Sequence, residues 1–424
     1  LPMALAGTAA VLLVFAGAKR SHGIGAGLVA ALVLAIFPES VATARDSTMD
    51  ALVLALVAAA AWLLVVAVED RRPWLLVAWT ALMGIVFNVK FFEGFILLPA
   101  ATVYVAWSWR DQWRVLVAPV LVATAVGVAV SLAWVAFVEL TPADDRPMVM
   151  NDQSNSELGL AFRYNGLERV LPSAVAIFVP VTGVPRTQGL VTAALNYGVG
   201  DRGLFRLTQA SNGPLIGFGA LIALGGLFVV ALRRRDWLLH GPGLFWAGWL
   251  ITGIVFFSAS NRAAAHYTES YAPAIAVLAG VGIIEAWRAR GRLSGLLLPI
   301  GVALLLGFAL FTYDELPPFE TRISAAAAVG LVAAFILALA TQLPPLARVA
   351  SVARPVAVAA ILVVPLVTSL WITLDAPRGG QVTRPNPIDF AHADVAPPRE
   401  RSVPAEAMAS HVGQTLPDAR YRFA

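Results

Sequence analysis

The chain contains no cysteine among its 424 residues, which excludes disulfide staples, zinc–thiolate centres and cysteine nucleophiles. Charge is nearly as scarce. Asp, Glu, Lys and Arg together make up 13% of the residues while hydrophobic types make up 59%, and the mean hydropathy is +0.76. A soluble protein of this length needs far more charged surface, so the chain reads as a polytopic membrane protein. The net charge of +4 and sequence pI near 9.7 do not point to nucleic acid. The basic residues sit in short clusters between apolar segments, the pattern of cytoplasmic loops. The beginning lacks a Met, a charged n-region and a signal-type cleavage site, and lies directly inside the apolar run "LPMALAGTAAVLLVFAGA". The last residues, "DARYRFA", read as the first strand of a soluble fold. The expectation is a fragment of a longer protein.

A bilayer core about 30 Å thick asks for roughly 20 apolar residues per helix. Twelve stretches are candidates, at about 3–18, 23–38, 50–68, 74–88, 92–109, 114–138, 214–232, 242–259, 270–287, 293–312, 323–342 and 354–374. The runs are too long for strands and show no period-two alternation, so the expected fold is an all-α membrane bundle of about 12 helices. Lys19–Arg20, Arg71–Arg72, Arg110/Arg114, Arg233–Arg234–Arg235, Arg288/Arg290/Arg292 and Arg348/Arg354 follow spans 1, 3, 5, 7, 9 and 11. The positive-inside rule assigns all six connections to the cytoplasm, which puts both chain ends outside. Residues 1–375 then form the membrane core, with a long outer segment at about 139–213. In that segment "VLPSAVAIFVPVTG" (170–183) is apolar but short, and reads as interfacial or re-entrant. Residues 376–404 are rich in Pro and charge and read as a linker. Residues 405–424 read as a helix and strand that begin a truncated soluble domain.

The span centres are Ala, Val, Leu, Ile and Gly, while acids and bases cluster at the outer helix ends. Ion-coupled transporters place ionisable groups at membrane depth. A site at the outer surface, where a lipid-borne headgroup meets a second substrate, suits this pattern better. Three outer stretches stand out. In "ARDSTMDALVL", Arg45, Asp46 and Asp50 precede or open an apolar helix. Capping by Ser47 or Thr48, with Asp50 favoured by the helix dipole, is the bland account; it leaves Arg45 on the outer face unexplained. In "FNVKFFEGF" (87–95), Lys90 sits among aromatic rings at a helix end. A compact ammonium there can meet phosphate oxygens from several directions, although a snorkelling Lys would look the same. In "NRAAAHYTESYAPAIAVLAG", Arg262, His266 and Tyr267 stand just before an apolar span. Tyr is a common interfacial anchor; Arg and His beside it could bind phosphate or sugar hydroxyls.

These stretches resemble a known family. The opening run through "ARDSTMDALVLAL" is similar to the membrane core of GT-C fold glycosyltransferases that use polyprenyl-phosphate sugars. These are grouped with the protein O-mannosyltransferases and the aminoarabinose transferase of lipid A, and the chain most resembles the bacterial family 39-like mannosyltransferases. Residues 45–50 match "R-N-x-T-x-D" and residues 86–90 match "G-F-N-x-K". "NSELGLAFRYNGLERV" (155–170) resembles an outer-loop signature, "GLFRL" (203–207) resembles "G-x-F-R-L", and "AHYTESYAPAIAVLAG" resembles "F-H-x-Y-Y-x-x-x-x-A-P-A-I-A". Asp46 stands where Asn is usual, Glu168 where Gly is usual, one Tyr replaces a Tyr pair, and "KFFEGF" replaces a more apolar run.

The resemblance implies transfer of a mannose-like or other sugar from a polyprenyl-phosphate donor to a glycan, lipid or protein acceptor. The transfer would occur at the outer face of the cell membrane. It implies that Lys90 contacts the donor phosphate, with Arg262 and His266 near it. Arg45 and Asp50, with Tyr267 beside them, would organise the floor of the site, and Asn155, Tyr164, Asn165 and Arg169 would belong to a loop covering it. The family's catalytic carboxylate lies on an outer loop expected upstream of Leu1, so no catalytic residue is assigned within the chain. No cofactor is implied. A divalent metal is compatible with the oxygen donors Asp46, Asp50, Glu93 and Asp152, but no spacing is diagnostic. The alternatives from other classes are a transporter or flippase of lipid-linked sugars, and a non-catalytic relative.

Overall fold

The computed structural model describes residues 1–46, 48–142, 145–146, 148–149, 155–167, 203, 206–208, 213–260, 265–289, 293–313 and 317–374. Among these residues the protein is a helical bundle without strands. The helices are α1 (Pro2–His22), α2 (Ile24–Ala35), α3 (Pro38–Arg45), α4 (Asp50–Glu69), α5 (Leu75–Lys90), α6 (Leu98–Ser108), α7 (Trp113–Leu140), α8 (Phe218–Arg233), α9 (Arg235–His240), α10 (Gly243–Ala259), α11 (Ala272–Arg288), α12 (Leu297–Tyr313), α13 (Pro317–Gln342) and α14 (Ala347–Leu374). Residues 170–183, the expected linker at 376–404 and the expected soluble start at 405–424 lie outside the described residues.

Each of the twelve apolar stretches read from the sequence is helical. Eight helical segments are long and apolar enough to cross a bilayer, or nine if α2 and α3, bent by 58° at their joint, form one span. The expectation of about twelve also counted shorter stretches, such as the 17-residue α10 and α12. One of the eight segments, 75–108, doubles back on itself. Arg71 Nη1 donates to the Ser108 carbonyl at 2.6 Å, and the Arg71 guanidinium lies 5.3 Å from the Trp109 ring centroid. Both ends of the segment therefore lie at the same end of the bundle, and α5 and α6 are two crossings joined by the 3₁₀ turn Phe91–Leu97.

The same kind of contact sorts the bundle's two ends. At one end Arg20 pairs with Glu69 at 2.8 Å and with Asp70, joining α1 to α4. His22, Arg233, Arg234 and Arg288 surround the buried Glu285 carboxylate at 3.0, 3.5, 3.1 and 3.7 Å. The α6–α7 corner joins them through Trp107 stacked on His240, and the α13–α14 connection joins through Thr341 against Gly295. The six basic connections thus gather on one face, as the alternation of Arg clusters along the sequence requires. The opposite end carries Asp50, Lys90 and the segment Ala265–Tyr271.

Between the ends the core is apolar and closely packed. From Ala272 to Ala286, α11 is buried except at Ile284, and it crosses α8 where Gly226 meets Gly282. A Cβ on Gly226 would lie 2.3 Å from the Leu278 carbonyl oxygen, and one on Gly282 would lie 2.1 Å from the Gly226 Cα. Only glycine permits backbones to approach this closely.

Candidate functional site

The site begins where α5 stops. Lys90 leaves helical geometry at φ −152°, and Phe91 follows at φ 49°, ψ −133°, a region that non-glycine residues rarely occupy and that costs about 1–3 kcal/mol. The Phe91 ring packs edge-on against Phe87, which also touches Phe92, Phe95 and Phe162. This aromatic packing holds the strained joint in place. The joint turns the Lys90 side chain into the bundle end instead of out along the helix.

There the Lys90 ammonium pairs with Asp50 and with Glu93 at 2.9 Å, and lies 4.6 Å from the Tyr267 ring centroid. Asp50 is 1% exposed, so its charge is tolerable only with such a partner. The helix-capping account of this stretch is corrected. Met49, not Ser47 or Thr48, is the N-cap of α4, and no side chain caps it. Asp50 is turned toward Lys90. His266 is electrostatically coupled to Asp50 and its ring lies 4.3 Å from that of Tyr267. Beneath them Ser40 on α3 donates to the buried Glu269 at 3.1 Å, and Glu39 is buried alongside in the first turn of α3.

The structure thus brings together Asp50, Lys90 and the neighbours His266 and Tyr267 from three separate parts of the sequence. Arg45 is exposed at the last turn of α3. Asn155, Tyr164 and Asn165 belong to a segment that docks on the aromatic joint. Its π-helical turn Gly159–Leu167 places Phe162 5.4 Å from the Phe92 ring. The segment is anchored by Ser156 donating to Glu139 at 2.7 Å and by the Val149 amide donating to Asn155 at 2.6 Å. Asn155 takes a left-handed φ of 50°, which Asn tolerates better than most residues. Burial pushes the Glu157 carboxyl above the ordinary range, against a hydrogen bond from Trp134. Arg169, Arg262 and Asp152 lie outside the described residues. Among the described residues no group of three or more His, Asp or Glu converges to hold a metal ion.

Two contributors escaped the sequence reading. Glu93, in the sequence only one of several oxygen donors, pairs with Lys90, and its signal is their i,i+3 spacing. Arg206, in "GLFRL", is 3% exposed and donates to the carbonyls of Phe257 at 3.2 Å and of Ser260. It fastens the end of α10, from which the chain runs to His266. The signal was the likeness of "GLFRL" to "G-x-F-R-L", an Arg inside an otherwise apolar motif.

The sequence is similar to those of known proteins. Residues 1–135 match the family described as dolichyl-phosphate-mannose-protein mannosyltransferase. The chain is 27% identical over 388 residues to "Putative mannosyltransferase YycA" of Bacillus subtilis (strain 168), covering 73% of this chain and 56% of that protein. It is 26% identical over 392 residues to "Putative mannosyltransferase YkcB" of the same organism, covering 73% and 55%. The chain spans about half the length of the curated relatives it matches. It is also similar to the crystal structure of ArnT from Cupriavidus metallidurans in the apo state, at 20% identity and a TM-score of 0.49, over 87% of this chain and 61% of that one. The family match covers residues 1–135, and the apolar helices make the chain a multi-pass membrane protein.

Proposed function

We propose that the protein transfers a sugar from a polyprenyl-phosphate donor to an acceptor at the outer face of the cell membrane. The observation that carries this reading is Lys90, held at the bundle end opposite the arginine-rich face by Asp50, Glu93 and the Tyr267 ring. The positive-inside rule gives the arginine-rich face to the cytoplasm and the Lys90 face to the outside.

In the proposed reaction an acceptor hydroxyl attacks the anomeric carbon with inversion. The bond from that carbon to the phosphate oxygen breaks, and its electron pair leaves with the polyprenyl phosphate. The acceptor's proton passes to a carboxylate base, a role assigned to no residue of this cluster. Negative charge grows on the leaving phosphate, and Lys90, with His266 and Arg262, stabilises it. Asp50 holds the ammonium in place, while Glu93 occupies part of the space that phosphate oxygens would take. The donor would displace Glu93 from Lys90. Asn155, Tyr164, Asn165 and Arg169 act as a cover over the bound sugar.

A transporter of lipid-linked sugars would need polar groups at mid-membrane. Among the described residues the buried charged side chains are Glu39, Asp50, Glu157, Arg206, Glu269 and Glu285, all at helix ends or in connections. This favours the transferase. The test is transfer from radiolabelled polyprenyl-phosphate sugar in membranes carrying the full-length protein. Lys90→Ala should abolish transfer, and unchanged transfer would refute the phosphate role.

A further inference from the structure

At the arginine-rich end a groove of about 720 Å³ opens between α1 and α4, lined by Phe15, Ala16, Lys19, Arg20, Trp62 and Glu69. It is remote from the Lys90 site. Asp50 and Glu69 are the first and last residues of α4, about 28 Å apart along a helix that rises 1.5 Å per residue.

The groove has a polar rim and an apolar wall. Lys19 is exposed, and its ammonium lies 5.7 Å from the Phe15 ring centroid. Among the described residues no carboxylate pairs with it. Arg20 is engaged by Glu69 and Asp70, whose side chains stay 25% and 32% exposed. Trp62 is 39% exposed and lies seven residues before Glu69, about 10 Å deeper. Charge at the rim and aromatic surface two turns below follow the polarity gradient of one leaflet.

We propose that this groove binds a phospholipid whose headgroup carries a phosphate and a primary ammonium. The charge balance selects that class. Lys19 and Arg20 are offset by Glu69 and Asp70, so a zwitterion matches the rim better than a net anion. The lipid phosphate meets the Lys19 ammonium. The headgroup ammonium donates hydrogen bonds to the exposed edges of the two carboxylates, which a quaternary ammonium without N–H cannot do. The acyl chain lies along Phe15, Ala16 and Trp62.

Native mass spectrometry of the purified protein tests this, with equimolar phosphatidylethanolamine, phosphatidylglycerol and phosphatidylcholine of matched chains. Phosphatidylethanolamine should be retained several-fold over the other two. Lys19→Gln and Glu69→Gln should each lower that preference several-fold. Lys19 is exposed and makes no ion pair among the described residues, so its variant should keep the parent unfolding midpoint. Equal retention of the three lipids, a preference for phosphatidylglycerol, or a preference unchanged in Lys19→Gln would overturn the proposal.

Discussion

Gly225 and Gly226 are neighbours on α8 and make opposite demands on a methyl group. A Cβ on Gly225 meets nothing within 4 Å, whereas one on Gly226 would lie 2.3 Å from the Leu278 carbonyl oxygen and 3.1 Å from its carbon. Gly225→Ala therefore gains helix propensity, about 1 kcal/mol in a helix interior, without strain. Gly226→Ala gains the same amount but forces α8 away from α11. The obstructing atoms are backbone and cannot rotate aside, so the upper part of the ~1–3 kcal/mol range for overpacking applies. The net loss is then about 1–2 kcal/mol, and the two variants should differ by about 2–3 kcal/mol. The assay is the loss of folded protein by size-exclusion chromatography after graded heating in mild detergent. Gly225→Ala should match or exceed the parent, and Gly226→Ala should melt clearly lower. Gly282→Ala, whose methyl would lie 2.1 Å from the Gly226 Cα, should resemble Gly226→Ala, and the double variant should fall short of additivity because both methyls open one contact. Equal stability of Gly225→Ala and Gly226→Ala would show that α8 and α11 do not meet backbone to backbone.

Three further outcomes follow from the charged groups. Glu285→Ala strips the partner from His22, Arg233, Arg234 and Arg288; because two of the arginines are about half exposed, the loss should sit at the lower end of the ~3–5 kcal/mol typical of broken buried pairs, read in the same heating assay. Glu93→Gln weakens the group that competes for Lys90 and should lower the donor KM in the transfer assay; a raised KM would mean that Glu93 positions Lys90 instead of occupying the phosphate's place. Glu157 favours its neutral form in the folded segment, so its contribution is full below the ordinary carboxylate value of about 4.3 and is lost as pH rises through the raised value. Proteolysis of the segment around 155–167 should therefore quicken as pH rises from about 4 toward neutrality, and Glu157→Gln should flatten that dependence.

What could be read in advance and what could not divide along one physical line. Apolar length and the placement of arginines act one residue at a time, through transfer energy, so the helical stretches and the shared face of the six basic connections were visible in the sequence. Pairings across the bundle depend on three-dimensional register, which a single sequence does not encode locally. The arginines after spans 7 and 9 read as loop cations, yet Arg233, Arg234 and Arg288 converge on one buried carboxylate within an apolar helix. "FNVKFFEGF" shows both sides of the division. That it turns, and that its Lys faces the end opposite the basic connections, could be read from its position between two apolar runs. That Phe91 bears the backbone strain of the turn, and that Asp50 and Glu93 hold the ammonium from two directions, could not. The pairing also changes what the lysine can do. An ammonium already shared between two carboxylates attracts phosphate weakly until one of them yields. Asp50 is the more deeply buried, at 2% side-chain exposure against 6% for Glu93, and it opens α4, whereas Glu93 sits on a short turn. Glu93 is therefore the carboxylate that gives way when phosphate arrives, and Asp50 the one that stays.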